Sequence, residues 1–271
     1  MASPAFLELR QVSKVYSIRQ KDGSTQKIEV VREVTQTIPE GHFVTVVGPS
    51  GCGKSTLLSM IAGLNPISSG QLLLKGVPIT SPHPSLGMVF QEDSIFPWMN
   101  ALENVSFGLE MQDLPKPQCR KRSQEALELV GLKGFEYSYP KELSGGMRQR
   151  VAIARALALN PDILLMDEPF AAVDPQTRMF IGTELRRIWR ETGKTILFIT
   201  HDINEAVFLS QEIWVMSSRP GTIIEVVDID LPAERDIAIL ATDAFAQYTG
   251  HLWNVMRSEW ESTQESAQHM A

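Results

Sequence analysis

The chain has 271 residues, of which 43% are hydrophobic, and a formal net charge of −7. That length suffices for one good core with a smaller subdomain, and the acidic balance disfavours a broad basic surface for nucleic acid. No apolar run reaches the roughly 18–20 residues that a membrane-spanning helix needs. Two cysteines, Cys52 and Cys119, provide no disulfide framework, and residues 1–10 lack the pattern of a secretory signal. We therefore expect an α/β protein of the reducing cytosol.

Alternating apolar and polar residues near the N-terminus predict an antiparallel hairpin. Its strands cover residues 6–18 and 28–38, with turn residues at 21–24 between them. A strand over 42–47 then runs directly into a glycine-rich loop, and a helix over 54–62 follows. Further strands are predicted over 71–75, 86–91, 163–166, 195–199, 213–217 and 222–229, with helices over about 176–191 and from residue 202.

Between residues 100 and 160 the periodicity is helical, with breaks at the prolines of 115–117 and at Pro140. We therefore predict an α-helical subdomain, about residues 92–160, inserted in the α/β core. Residues 1–230 then form one domain with an N-terminal antiparallel β-subdomain, and residues 231–271 form a helical C-terminal tail in which we find no chemistry.

The glycine-rich loop reads Gly48-Pro49-Ser50-Gly51-Cys52-Gly53-Lys54-Ser55-Thr56 and fits the pattern G-x-x-x-x-G-K-[ST]. It follows a strand and opens a helix, which is the context of a phosphate-binding loop rather than of a chance match. Backbone N–H groups and the helix N-terminus would cradle the phosphates of a nucleotide. Lys54 is expected to reach the β- and γ-phosphates, and Ser55 to ligate Mg²⁺. Cys52 is either a thiol activated by this setting or a plain spacer.

An acidic pair follows the apolar run 163–166, which predicts a buried strand. Asp167 and Glu168 would therefore stand at the carboxyl end of that strand, where ligands of open parallel sheets bind. Asp167 is suited to hold Mg²⁺, directly or through its water, and Glu168 to orient and deprotonate an attacking water. The alternative is a pair of solvated charges at a strand end.

A third motif, Leu143-Ser144-Gly145-Gly146-Met147-Arg148-Gln149-Arg150, lies between these two. It resembles the signature of the ABC ATPases, and the resemblance extends over residues 6–229. The resemblance implies a P-loop NTPase of the ABC type, with a RecA-like core, that hydrolyses ATP. It also implies head-to-tail pairing of two copies, in which Ser144, Gly145 and Gly146 of one copy cover the ATP held by the other.

The resemblance further implies roles for single residues. Glu168 is the catalytic carboxylate, and His201 is the switch histidine that contacts the γ-phosphate. Gln91 is the Q-loop glutamine that ligates Mg²⁺ or its water. Tyr16 stacks on adenine, with an ordinary strand aromatic as the alternative. Asp174 is the D-loop residue that crosses the dimer interface, and it follows a valine where the family usually has leucine.

Finer motifs resemble the ATP-binding subunits of importers for nitrate, sulfonates, taurine and bicarbonate. They lie at residues 90–93, 96–98, 167–170, 200–206 and 217–221. This branch implies a peripheral subunit on the cytoplasmic face of a bacterial inner membrane, with ATP and Mg²⁺ as cofactors. Its implied partners are a second ABC ATPase subunit, identical or paralogous, two membrane-spanning permease subunits and an external solute-binding protein, with no nucleic acid.

Residues 92–107 are our candidate for the permease contact, because Pro97 and Trp98 would present apolar surface just after Gln91. The alternative is that Phe96 and Trp98 cap the core of the helical subdomain. Non-transport ABC ATPases of DNA repair or translation are a further alternative. The first group has a long coiled coil between loop and signature and the second has two cassettes per chain, and neither feature occurs here. A P-loop kinase would leave residues 143–150 without a role.

Overall fold

The computed structural model describes residues 5–20, 23–91, 94–171 and 173–268, and side chains as far as residue 259. Glu92, Asp93 and Ala172 of the motifs therefore lie outside the described residues. Within the described ranges, none of the helices combines the length and apolarity that a bilayer crossing requires. The chain divides into two compact units, Met1–His83 with Ile199–Ala271, and Pro84–Phe198.

The described residues form ten strands and seven α-helices. The strands are β1 (Ala5–Arg19), β2 (Thr25–Pro39), β3 (Phe43–Val47), β4 (Ser69–Leu74), β5 (Val77–Pro78), β6 (Leu86–Val89), β7 (Ile163–Asp167), β8 (Thr195–Ile199), β9 (Glu212–Met216) and β10 (Ile223–Asp228). The helices are α1 (Lys54–Ile61), α2 (Ala101–Glu110), α3 (Lys116–Leu129), α4 (Gly145–Ala158), α5 (Pro175–Thr192), α6 (Ile203–Leu209) and α7 (Asp243–Gln268).

The first unit contains an antiparallel sheet in the order β2-β1-β4-β5. The N-terminal hairpin pairs β1 with the edge strand β2, with Val15 opposite Glu29 and Leu7 opposite Ile38. β4 adds to the other edge of β1. The short strand β5 was not predicted, because two residues are too few to show a period.

The same unit contains three further strands in the order β10-β9-β3. All five residues of β3 are buried, as expected for a strand covered on both faces. β9 runs parallel to β3 with Val215 beside Val47, so the loops that follow both strands leave the same edge of the sheet. One of these loops is the phosphate loop, which leads from β3 into α1.

A buried arginine fixes the segment between β10 and α7. Arg235 is 6% exposed and donates to the carbonyl oxygens of Val207, Phe208 and Ser210, at 2.8–2.9 Å. These are carbonyls that the C-terminal end of α6 leaves without helical partners. Burial lowers the pKa of the Arg235 guanidinium to about 10.

In the second unit the strands lie in the order β8-β7-β6, and β6 and β7 are parallel. Helix α2 begins with a capping box between Asn100 and Glu103. Helix α5 begins at Pro175 after the N-cap Asp174 and ends at Gly193, whose φ of 61° closes the helix. The helical region 100–160 thus contains α2, α3 and α4, while the division of the chain into residues 1–230 and 231–271 stays a prediction.

Candidate active site

The phosphate loop has the backbone shape that its glycines predict. Gly51 and Gly53 have φ angles of 76° and 115°, which other residues rarely adopt. An ideal Cβ on Gly51 would have no atom within 4 Å, so this side of the loop is open. On Gly53 it would lie 3.0 Å from the Val30 carbonyl oxygen, which limits this position to glycine on steric grounds too.

Lys54 lies folded over this loop. Its Nζ donates to the carbonyl oxygens of Gly48 at 2.8 Å and Pro49 at 3.1 Å, and the residue is 5% exposed. Ser55, the next residue, is exposed. Cys52 is buried at 1% exposure, with its Sγ 4.0 Å from Lys54 Nζ, so burial favours the plain spacer over a reactive thiol.

The turn between β9 and β10 supports the loop from outside, which the sequence did not reveal. Arg219 donates from Nη2 to the Gly51 carbonyl oxygen at 3.1 Å. A Cβ on Gly221 would lie 2.2 Å from the Cys52 carbonyl oxygen, so the two backbones touch. The resemblance had singled out residues 217–221 only as a family feature, because contacts between distant segments leave no local pattern.

Tyr16 lies on β1 and is 36% exposed. Lys14 Nζ lies 4.8 Å from the ring centroid, and Asn65 Nδ2 donates to the phenol oxygen at 2.5 Å. Lys14 is itself fixed by the Asn65 side chain at 2.7 Å. The ring is therefore held in place and partly open to solvent, as an adenine platform requires.

His201 is exposed and comes two residues after the end of β8. A hydrogen-bonded turn holds it: Thr200 Oγ1 donates to Glu205 Oε2 at 2.5 Å, and Asp202 N donates to Thr200 Oγ1 at 3.0 Å. Asp202 in turn caps α6 by accepting from Asn204 N at 2.8 Å. Thr200 and Glu205 are thus positioning residues that sequence analysis did not identify.

In the second unit, β7 ends at Asp167 and the chain turns at Glu168. Glu168 has a φ of 41°, a left-handed conformation that costs a residue with a side chain about 1–2 kcal/mol. The turn closes through a hydrogen bond from Ala171 N to the Glu168 carbonyl oxygen at 3.1 Å. Phe170 anchors it, being fully buried against Phe198 at a ring-centroid distance of 5.5 Å. Strain of this kind at a carboxylate is typical of a functional position.

The signature motif forms the N-terminal end of α4. Ser144 is its N-cap and accepts from Met147 N at 3.3 Å. Ser144 and Gly145 are exposed, whereas Gly146 is buried. A Cβ on Gly146 would lie 2.7 Å from Thr177 Cγ2, while one on Gly145 would meet only the Arg148 Nη2 atom at 3.7 Å. One glycine thus serves packing against α5, and the other leaves the helix end open to an anion.

Asp174 and Gln91 are both exposed. Asp174 accepts from Thr177 N at 3.0 Å, and this hydrogen bond holds the pKa of its carboxyl below the usual value. Gln91 comes two residues after the end of β6. The predicted residues are thus divided between the units. Tyr16, the loop 48–56 and His201 lie in the first, and Gln91, Ser144–Gly146, Asp167, Glu168 and Asp174 lie in the second.

These residues fit Mg²⁺–ATP. The open glycine cradle and Lys54 suit a polyphosphate, and the Ser55 hydroxyl and Asp167 carboxylate are oxygen ligands of the kind that Mg²⁺ prefers. Among the described residues no three His, Cys, Asp or Glu side chains cluster as a metal site. Mg²⁺ in nucleotide sites binds to few protein ligands, together with nucleotide phosphates and water.

Comparison with known proteins gives the family. The model of the ABC transporter family matches residues 31–171. The chain belongs to this family. An uncharacterised ABC transporter ATP-binding protein of Methanocaldococcus jannaschii is 42% identical over 253 residues, 93% of this chain and 92% of that one.

Two further relatives of this chain are import proteins whose names state what they transport. The aliphatic sulfonates import ATP-binding protein SsuB of Bacillus cereus is 44% identical over 229 residues, 84% of this chain and 88% of that protein. The taurine import ATP-binding protein TauB of Burkholderia pseudomallei is 46% identical over 215 residues, 79% of this chain and 81% of that protein.

Solved structures of ABC ATPases share the fold. A dimer of the ATP-binding cassette MJ0796, bound to ADP and Pi, matches 83% of this chain and 100% of that one, with a TM-score of 0.71 and 33% identity. CbiO1 of Clostridium perfringens, part of the transporter complex cbiONQ, matches 83% of this chain and 88% of that one, with a TM-score of 0.73 and 30% identity. The predicted family, fold class and ATPase activity are therefore confirmed: the protein is an ABC-type ATPase that binds ATP.

Proposed function

We propose that this ATPase drives import of a small organic anion of the sulfonate or taurine type, as the peripheral subunit of a transporter at the cytoplasmic face of a bacterial inner membrane. Its similarity to the sulfonate and taurine import proteins carries this proposal, because it extends over most of the length of both relatives. Nitrate and bicarbonate, the other cargoes of the branch, have no such support among these relatives. Residues 1–230 would be the nucleotide-binding domain and 231–271 the tail.

Two copies would close head-to-tail around two Mg²⁺–ATP, as an identical or paralogous pair. The dimer of the related cassette supports this arrangement, as does the exposed end of α4. That end exposes Ser144 and Gly145 at a helix N-terminus, which suits an anion, and the anion that we assign to it is the nucleotide held by the partner.

Roles within each composite site follow from the chemistry. Lys54 would bind the β- and γ-phosphates, and Ser55, Gln91 and Asp167 would hold Mg²⁺, which neutralises phosphate charge when bound. Glu168 would accept a proton from the attacking water, and His201 would orient that water and the γ-phosphate. Asp174 would meet the partner across the interface.

An aromatic cluster in the second unit is our proposed contact with the permease subunits. The ring of Phe96 lies 4.7 Å from Phe107 and 5.5 Å from Trp98, centroid to centroid, while Arg155 lies 5.6 Å from Phe96. Trp98 is 69% exposed, which disfavours its predicted alternative role as a cap of the helical core. A large exposed indole on a fixed cluster suits a docking helix.

Transport and ATP hydrolysis measured separately test this proposal. With the native permease and binding protein in proteoliposomes, the chain should support ATP-dependent uptake of taurine or an alkanesulfonate. Trp98→Ala should lower uptake at least tenfold while the free subunit keeps its ATPase activity, and Phe180→Ala, at another exposed aromatic, should change neither. Uptake of neither anion, or full uptake with Trp98→Ala, would contradict cargo class or docking site respectively.

A further inference from the structure

A cavity of about 960 Å³ opens beside the phosphate loop, and all its walls belong to the first unit. The outer side of the loop, at Ser50 and Gly51, forms one wall, and Arg219 of the β9–β10 turn forms the second. Helix α7 supplies the third with Trp253, Met256 and Arg257. Of the phosphate loop, Pro49, Ser50 and Gly51 line this cavity, whereas Lys54 and Ser55, which serve the nucleotide, do not.

Helix α7 presents two different faces. Phe245 and Leu252, seven residues apart, are buried and fasten the helix to the first unit. Trp253, Met256 and Arg257 lie at i, i+3 and i+4 and therefore form another stripe, which faces the cavity. Trp253 is 61% exposed. An exposed indole in a cavity wall is unusual for a residue that serves packing alone.

The chemistry of the walls defines a class of ligand. Two guanidinium groups, Arg219 and Arg257, suit a carboxylate, sulfonate or phosphate, to which arginine binds through paired hydrogen bonds. The Trp253 indole stacks well on a planar ring, and the Met256 thioether packs favourably against aromatic edges. The volume is that of a site for a small organic molecule.

Arg219 links this cavity to the backbone of the phosphate loop. Arg219 donates to the Gly51 carbonyl oxygen at 3.1 Å, its only hydrogen bond to another of the described residues. Gly51 holds a left-handed turn of the phosphate loop, at φ 76°. An anion that attracts the Arg219 guanidinium would compete with this carbonyl, and the loop that binds ATP would change shape or rigidity.

We propose that this cavity binds a planar aromatic carboxylate or sulfonate, and that binding alters the affinity of the phosphate loop for ATP. The proposal requires ATP binding by the chain but not the importer function or any particular cargo. Its rival is a contact between the α7 helices of two copies.

Calorimetric titration of the full-length protein tests the binding. Naphthalene-1-sulfonate should bind at one site per chain. Methanesulfonate, which lacks the ring, and naphthalene-1-sulfonamide, which lacks the charge, should each bind at least tenfold more weakly. Trp253→Ala and Arg257→Ala should each weaken naphthalene-1-sulfonate tenfold or more while keeping basal ATPase activity. Trp98→Ala and Arg10→Ala, at an exposed tryptophan and an exposed arginine elsewhere, should bind it like the unmodified protein. Unchanged binding by the Trp253→Ala and Arg257→Ala variants would overturn the proposal.

The effect on ATP separates regulation from competition. Saturating naphthalene-1-sulfonate should change the dissociation constant of ATP by about fivefold or more and then reach a plateau, and ATP should change that of the sulfonate by the same factor. An apparent ATP constant that rises without limit would place the sulfonate in the nucleotide site and overturn the proposal. A Trp253→Ala variant that binds the sulfonate normally but fails to dimerise with ATP would establish the rival.

Discussion

Replacing each glycine of the signature motif by alanine should have a different effect on the protein. Gly146 faces α5, and a methyl group there would lie 2.7 Å from Thr177 Cγ2 and 3.2 Å from Ile181 Cδ1. Ordinary carbon contacts begin at 3.4 Å. Thr177 cannot rotate away easily, because its side chain is β-branched and its backbone N–H donates a hydrogen bond to the Asp174 carboxylate. Overpacking of this kind costs about 1–3 kcal/mol.

Gly145→Ala is the matched control for stability. Its methyl would face solvent, with only the end of the Arg148 side chain nearby at 3.7 Å. Alanine in place of glycine in a helix is at worst neutral, so the free energy of unfolding should not fall. The methyl would however occupy the surface that we assign to the partner's nucleotide, and ATPase activity should fall at least tenfold.

Thermal unfolding and phosphate release distinguish the two variants. Since 1 kcal/mol corresponds to roughly 2–4 °C in a domain of this size, Gly146→Ala should lower the melting temperature by about 2–12 °C. Gly145→Ala should melt like the unmodified protein and yet hydrolyse ATP poorly. A stable Gly146→Ala variant would refute the packing, and a fully active Gly145→Ala variant would refute the role of the helix end.

Three further variants test single contacts. Glu168→Gly should raise the free energy of unfolding by about 1 kcal/mol, because glycine relieves the left-handed backbone, whereas Glu168→Gln should leave it unchanged. Both variants should release phosphate at least 100-fold more slowly. Equal stability of the two variants would argue against backbone strain at this position. Arg235→Leu leaves several buried carbonyl groups without hydrogen-bond donors and should lower the free energy of unfolding by about 3 kcal/mol or more. The melting temperature should then fall by roughly 6–12 °C, and by less for Arg235→Lys. Burial raises the pKa of the Glu212 carboxyl, so its contribution to stability is fully present at acidic pH and is lost as the pH rises through the folded-state pKa. Glu212→Gln should therefore raise the melting temperature at pH 7, and this gain should shrink toward pH 4; a gain independent of pH would contradict the assignment.

The sequence predicted those parts of the molecule that depend on local patterns. The buried strands β3, β7 and β8 appear as short apolar runs, and each is followed by a motif whose residue types state its chemistry. The phosphate loop is the clearest case, because Gly51 and Gly53 stand where the backbone needs left-handed conformations. The hairpin of β1 and β2 likewise follows from the alternation of apolar and polar residues.

Features that depend on distant contacts were not predictable. The left-handed Glu168 has the sequence context of an ordinary strand end, and its strain arises from the turn anchored by Phe170. In the sequence Arg235 has the context of a surface arginine in a polar segment. In the structure its guanidinium is buried and donates to three carbonyl oxygens at the end of α6. The cavity beside the loop forms because α7 lies close to residues 49–51. No periodicity or motif in residues 243–268 indicates that contact.

Mixing two inactive variants tests most directly whether each catalytic site is built from two chains. Lys54→Ala removes the phosphate contact but leaves the signature intact, and Ser144→Arg does the reverse. A mixed dimer contains one fully intact composite site, so an equimolar mixture with random pairing should recover roughly a quarter of normal ATPase activity, half the dimers being mixed with one of two sites working. Recovery toward that level is the result we expect. A mixture as inactive as its components, or full activity of Ser144→Arg alone, would contradict the two-chain site.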